Sequence, residues 1–241
     1  LAGRETFVGQ DRLIKSIKGV NANEDELLTI TLQAPSFSKA HGWLLERGWG
    51  EEQFFLISDL LEENSYARRP FFLSVFAKPE IVDNLDRKTI STPLSFLIDQ
   101  MTVRETEKFG DAVDQDLSKS EKVEFVNHLM REVARTLADN QAESIDVREI
   151  GWLVEFVVDE KNIGDEIVRL LKNRSDVIAF LTNDERPNHR VFIHSQIQNH
   201  FLSEVVIESV INSEISKFMR RNIFSSDFLN AFIERLIAPN K

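Results

Sequence analysis

The stretch RVFIHSQIQNHFLSEVV, residues 190–206, decides how the second half of the chain folds. Its first apolar run, Val191–Ile193, is typical of a β-strand and stops at His194. Apolar residues then recur at intervals of three and four, which predicts a long helix from about His194 to Arg221. A histidine at the start of a helix lies beside free backbone N–H groups, a good place to hold an anion. The alternative is that His194 simply caps the helix or is a partly buried structural histidine.

The residues before this stretch predict a small unit of the winged-helix type over residues 143–200. Asp146 and Glu149 have the spacing of a capping box, in which two side chains bind free N–H groups at a helix start. A second, short helix is expected next. Two strands, 176–182 and 190–193, then flank the turn-rich NDERPNH and predict a β-hairpin. Helices followed by a β-hairpin are the order of elements in a winged helix.

Signals for helix starts also mark the part of the chain before residue 143. Ser118 and Glu121 have capping-box spacing, and the clearest helical period of the chain follows them. Pro70 and Pro93 each precede an apolar pattern, which fits the tolerance of a first helical turn for proline. Residues 109–117 are predicted to be a polar, acidic connection between helices.

The fold class predicted from these patterns is mainly α. Residues 27–35 alternate β-branched residues and predict a strand, which belongs to a first part, 1–35. A helical bundle is predicted over 36–142 and the winged-helix unit over 143–200. Residues 201–241 are predicted to begin a further helical segment.

Composition limits the classes of function. The chain has 241 residues, 42% of them apolar, so it can bury a sizeable core. Its formal net charge of −11 makes nucleic-acid binding unfavourable, because an acidic protein gains nothing from counterion release. The absence of cysteine excludes disulfides and thiolate catalysis and fits a cytoplasmic location. No run approaches the roughly 18 apolar residues of a membrane span.

Catalytic and metal-binding patterns are missing. The chain has no GxxxxGK(S/T) motif and therefore no phosphate-binding P-loop. FFLISDL, residues 54–60, resembles a strand that ends in the Mg-binding aspartate of an ATPase, here Asp59, but its flanks extend a helical period over 51–64. Five histidines without HxxxH spacing do not favour a zinc site. The residue types do not exclude a Ser-His-Asp triad, although no GxSxG motif is present.

Five segments, taken in order, resemble the STAND class of signalling NTPases, the NACHT and NB-ARC-like relatives of AAA+ ATPases. They are similar to the family's sensor-1 turn, its last NTPase strand with the first lid helix, two further lid motifs and a winged-helix motif. The segments are LAGRETF, LLTITLQAPSFSKAHGWLLERG, YARRPFFLSVFA, TPLSFLIDQMTVRE and VFIHSQIQNHFLSEVV.

This resemblance implies roles for three residues. Arg4 corresponds to the sensor-1 arginine that faces the nucleotide phosphates, although a solvated chain end is the simpler interpretation of its position. Pro70 corresponds to the proline that packs against adenine, and His194 to the histidine that touches the β-phosphate in the closed form. The chain departs from the family where Gln198-Asn199-His200 replaces a position that is often acidic or aromatic.

The resemblance also implies what the chain is part of. The P-loop and the Walker B acids are expected upstream of Leu1, so this chain would be the regulatory lid and winged-helix part of a longer, ATP-dependent switch. The intact protein is expected to be a cytoplasmic ATPase that binds ATP or ADP with Mg²⁺, forms homo-oligomers after a protein trigger and acts in signal transduction, with bacterial antiphage defence as one setting. This chain alone is expected to be no enzyme and to hold no nucleotide tightly.

The sequence is also compatible with two functions of other classes. One is a winged-helix DNA-binding regulator with a helical sensor domain, which requires a basic recognition helix. The candidate helices VREIGWLVEFVVDE and GDEIVRLLKNR are acidic or mixed in charge. The other is a helical scaffold that binds proteins, for which His194 would have no role in nucleotide binding.

Overall fold

The predicted mainly helical fold with a small β-hairpin is confirmed at this coarse level by the computed structural model of the protein. The structure describes residues 34–55, 57–61, 66–68, 70–77, 93–159, 163–175, 178–221 and 224–237. Arg4 lies outside these residues, as does nearly all of the strand predicted over 27–35.

Within these residues the chain forms ten α-helices and one three-stranded antiparallel sheet. Three short 3-10 helices, Ser58–Leu61, Tyr66–Arg68 and Met219–Arg221, connect some of them. The strands are β1 (Ile145–Asp146), β2 (Leu181–Asn183) and β3 (His189–Phe192). The helices are α1 (Phe37–Leu45), α2 (Glu51–Phe55), α3 (Pro70–Phe76), α4 (Pro93–Thr106), α5 (Asp111–Asp116), α6 (Lys119–Asn140), α7 (Val147–Val158), α8 (Asp165–Ser175), α9 (Ser195–Ile211) and α10 (Ser226–Ile237).

Both capping boxes predicted from the sequence are present. The Ser118 hydroxyl accepts from the Glu121 N–H at 3.3 Å, and Glu121 Oε2 accepts from the Ser118 N–H at 2.8 Å, which fixes the start of α6. Asp146 and Glu149 make the same reciprocal pair at the start of α7. Each cap satisfies backbone donors that the first helical turn leaves free.

The sheet has the order β1-β3-β2, so the last strand lies in the middle. The hairpin pairs Leu181 with Phe192, and β1 pairs Ile145 with Arg190. The first hairpin strand is shorter than predicted, because the Leu181 N–H donates to the Ile178 carbonyl at 2.9 Å and closes a turn there. Ile178 and Phe180 are both buried, although neither of them lies in a strand.

Three predictions about the helices were wrong in detail. The single helix expected over 51–64 is α2 followed by the 3-10 helix Ser58–Leu61 in the described residues, with an Ile57 N–H to Phe54 carbonyl bond of 3.0 Å at the break. This break turns Ile57 into the core. Asp59 therefore lies in a helical segment and not at a strand end, as the helical period indicated.

The segment expected to be a polar connection, 109–117, contains α5. Its acidic residues hide an apolar residue at every fourth position, and Phe109, Val113 and Leu117 are all buried. Val113 lies inside α5 and Phe109 and Leu117 flank it, so burial of these three side chains decides the structure despite the surrounding charge.

The long helix expected from His194 to Arg221 ends at Ile211. Ser213 takes a left-handed conformation with φ of 58°, and the Glu214 N–H then donates to the Ser209 carbonyl at 2.8 Å. This arrangement closes the helix end and redirects the chain towards α10. The Phe218 N–H donates to Asp139 Oδ1 at 2.8 Å and ties the connection to α6.

A continuous apolar core connects the helices and the sheet. Helix α6 packs against α4, α7 and α9, and α9 packs against α10. Phe201 of α9 lies between Phe180 and Phe192 of the hairpin region, with ring centroids 5.3 and 6.2 Å away. The predicted domain boundaries at 35, 142 and 200 stay predictions, and the last of them falls inside α9.

We expect Phe201→Ala to lower the free energy of unfolding by about 3–5 kcal/mol, because the ring is 1% exposed and its removal leaves a cavity between the hairpin and α9. The control Phe55→Ala removes the same group from a position that is 78% exposed and should change stability by less than about 0.5 kcal/mol. Urea unfolding followed by circular dichroism measures both. Equal losses for the two variants would contradict this assignment of the core.

Candidate functional site

His194 lies at the junction that the sequence indicated, one residue before α9. Its imidazole is half-buried, and Nδ1 accepts a hydrogen bond from the Gln196 N–H at 3.2 Å as the N-cap of the helix. When Nδ1 of a neutral imidazole accepts, the proton is on Nε2, which is then a donor. The ring therefore combines a structural cap on one side with a hydrogen-bond donor on the other.

Pro70 is the first residue of α3 and is exposed. Phe72, Leu73, Val75 and Phe76 of the same helix are buried and anchor it to the core. The Trp49 indole N–H donates to the Phe76 carbonyl at 2.9 Å and satisfies a backbone acceptor at the other end of α3. The proline ring is thus presented to solvent from a helix that is fixed at its base.

Helix α4 is the element that links the two described site residues. It packs against α3, which carries Pro70, and against α9, which follows His194. Arg4 lies outside the described residues. That the three residues share one nucleotide stays a prediction.

A charged cluster between α4, α9 and α10 is a feature that the sequence reasoning missed. Arg235 pairs with Glu204, and its Nη1 donates to Ser95 Oγ at 3.3 Å. His200, one helical turn before Glu204, places Nε2 3.5 Å from the same carboxylate. The spacing of four between His200 and Glu204 was visible in the sequence, but nothing in the sequence paired them with a residue 31 positions further on.

Burial sets the protonation states in this cluster. It lowers the pKa of His200 to about 3, with a smaller contribution from the charge of Arg235, so the imidazole is neutral near pH 7. Burial also raises the pKa of Glu204, while Arg235 acts against this shift. The carboxylate and the guanidinium are therefore the ion pair, and His200 is a neutral neighbour.

An open groove lies beside this charged cluster. It has a volume of about 410 Å³ and opens to solvent. Arg131 and Arg235 line it together with Glu204 and Glu208, and Arg131 pairs with Glu208 at 3.6 Å. Its two positive charges are thus matched by two negative ones, and it carries no excess charge for an ionic ligand.

In the described part of the chain, no group of three or more histidines, aspartates or glutamates is arranged to hold a metal ion. Among the helices that the structure describes, none is both long enough and apolar enough to cross a membrane. Comparison with known protein families, curated proteins and solved structures finds no match to this chain.

We expect His200 to make the protein less stable as the pH falls. The unfolded imidazole takes up a proton near pH 6.5 and the folded one only near pH 3, so the unfolded state binds more protons between these values. Relative to His200→Gln, the wild type should lose about 2 kcal/mol of unfolding free energy between pH 8 and pH 5.

Urea unfolding at several pH values measures this difference. Comparison with the variant separates His200 from Glu204, whose raised pKa acts in the opposite sense. A wild type and a His200→Gln variant with parallel pH profiles would contradict the assignment.

Proposed function

We propose that this chain is the helical lid and winged-helix part of a STAND-type ATP-dependent signalling switch. The order of elements supports the winged-helix unit, because α6, β1, α7, α8 and the β2–β3 hairpin follow one another and the hairpin pairs with β1 through its last strand. The helices α1 to α5 precede this unit, as a lid would. The P-loop core that binds ATP or ADP with Mg²⁺ is proposed to lie upstream.

The state of His194 is the observation that carries this proposal. Its Nδ1 is used by the helix cap, so Nε2–H is the nitrogen with a proton to donate. A neutral imidazole in this state can donate one hydrogen bond to a phosphate oxygen and needs no change of protonation. The exposed Pro70 supplies a second surface, of the kind that packs against an adenine ring.

In this proposal ADP bridges the core and the winged-helix unit in the closed form. A hydrogen bond to a charged group is worth about 1.5–3 kcal/mol, which corresponds to a factor of about 10–150 between closed and open states. Exchange of ADP for ATP would remove this contact and favour opening. Opening would then expose the surfaces through which the intact protein oligomerises, in antiphage defence or another signalling role.

DNA binding is the weaker proposal for a unit of this topology. In a winged-helix DNA-binding protein α8 would be the recognition helix, and it begins with Asp165 and Glu166. Lys172, one of its basic residues, already pairs with Glu155 of α7. The net charge of −11 is a further point against DNA binding, because an acidic chain gains nothing from counterion release.

Substitution of His194 by asparagine separates its two roles. Asparagine is a strong N-cap and is uncharged, but its side chain does not extend to the position of the histidine Nε2. In the intact protein we expect His194→Asn to keep the melting temperature of the wild type and to release bound ADP at least about 10-fold faster. Release of a fluorescent ADP analogue measures this rate.

The variant His194→Ala provides the comparison, because it loses both the cap and the donor. It should release ADP as fast as His194→Asn and should also lose about 0.5–2 kcal/mol of stability. If His194→Asn retains ADP as the wild type does, the histidine is only a cap and the proposed switch fails.

A further inference from the structure

Arg68 is a buried arginine whose guanidinium is incompletely hydrogen-bonded. Only 9% of its surface is exposed, and its Nε is buried without a hydrogen-bond partner. Among the described residues it makes no ion pair with an acidic side chain. It ends the 3-10 helix Tyr66–Arg68, two residues before Pro70.

Two other arginines show why Arg68 is different. Arg131 and Arg135 also have a buried Nε without a partner. Their guanidinium groups are nevertheless compensated, because Nη1 of Arg131 lies 3.6 Å from Glu208 and Nη1 of Arg135 lies 3.3 Å from Glu132. Arg68 has no such compensation within the described chain.

The surroundings of Arg68 make an uncompensated charge costly. Its 3-10 helix packs against Ser58–Leu61 and α3. Ile57, Leu61 and the adjacent Ala67 are fully buried, so the 3-10 helix that carries Arg68 borders an apolar core. A buried ion without a partner loses hydration that no contact within the described residues returns. A bound anion would supply the missing interaction.

We propose that Arg68 binds a phosphate-type oxyanion of a ligand. The planar guanidinium offers paired donors that match the oxygens of a phosphate, and the exposed remainder of the residue leaves an approach for a small anion. Its identification with a phosphate of the nucleotide rests on the proposed function, because it uses the nearby Pro70 as the adenine contact. Binding of the phosphate group itself does not depend on that function.

Thermal unfolding of the 241-residue chain in low-salt chloride buffer tests this proposal, with pyrophosphate, ADP and adenosine as probes. We expect millimolar pyrophosphate and ADP to raise the melting temperature by about 3–10 °C at 10 to 100 times Kd, ADP by more than pyrophosphate at equal concentration, and adenosine to leave it unchanged. Arg68→Met should abolish both shifts. Without any anion its melting temperature should equal or exceed that of the wild type, because a buried unpaired charge is removed.

Arg68→Lys and Arg135→Met complete the set. The lysine variant keeps the charge but loses the paired donors, so pyrophosphate should bind at least about 10-fold more weakly. Arg135→Met breaks an ion pair with Glu132 and should lower the melting temperature, yet it should keep the pyrophosphate shift. The same titrations by calorimetry give the affinities.

The outcomes separate this inference from the proposed function. If pyrophosphate stabilises the wild type but ADP does so no better, the anion site holds and its assignment to a nucleotide fails. If Arg68→Met is destabilised or unfolded, the arginine pairs with an acid of this chain outside the described residues, and the inference is overturned. Equal pyrophosphate shifts in wild type and Arg68→Met, or no shift in the wild type, also overturn it.

Discussion

The direct succession of β3 and α9 is the constraint on which the rest of the structure depends. The Ile193 N–H donates to the Phe180 carbonyl at 2.9 Å and extends the hairpin contact, and α9 begins two residues later. Phe201, one and a half turns into the helix, packs between Phe180 and Phe192. Since α9 begins two residues after this hydrogen bond, His194 is held directly between the hairpin and the helix.

The middle of α9 is held by charge and not only by apolar packing. Arg235 extends from α10 to Glu204 and Ser95, so three helices meet at one part-buried ion pair. Such an ion pair stabilises the fold only when both partners are present, since removal of either one leaves the other charge unpaired. Arg68 differs from Arg235 in this respect. Glu204 compensates the charge of Arg235, whereas no acidic side chain within the described residues compensates the charge of Arg68.

Local signals in the sequence predicted local structure well. The starts of α6 and α7 follow from side chains three residues apart, since a capping box needs no information from the rest of the fold. The hairpin followed in the same way from its turn residues. Where burial decided, as at Val113 in α5, the acidic neighbours concealed the helix. The cluster of Glu204 with Arg235 and the isolation of Arg68 depend on contacts between distant segments, which no spacing rule contains.

The N-cap of α9 is a histidine, which is not a residue type that N-caps prefer. Side chains of Ser36, Ser118 and Asp146 cap other helices of this chain, and serine and aspartate are among the residues that N-caps prefer. Histidine is not among them, although His194 uses Nδ1 for the same purpose. A serine at this position would satisfy the helix equally well and would leave no donor beyond the cap. Capping alone does not require an imidazole here, and the proposed function would give its Nε2–H a use as a hydrogen-bond donor at the junction of hairpin and helix.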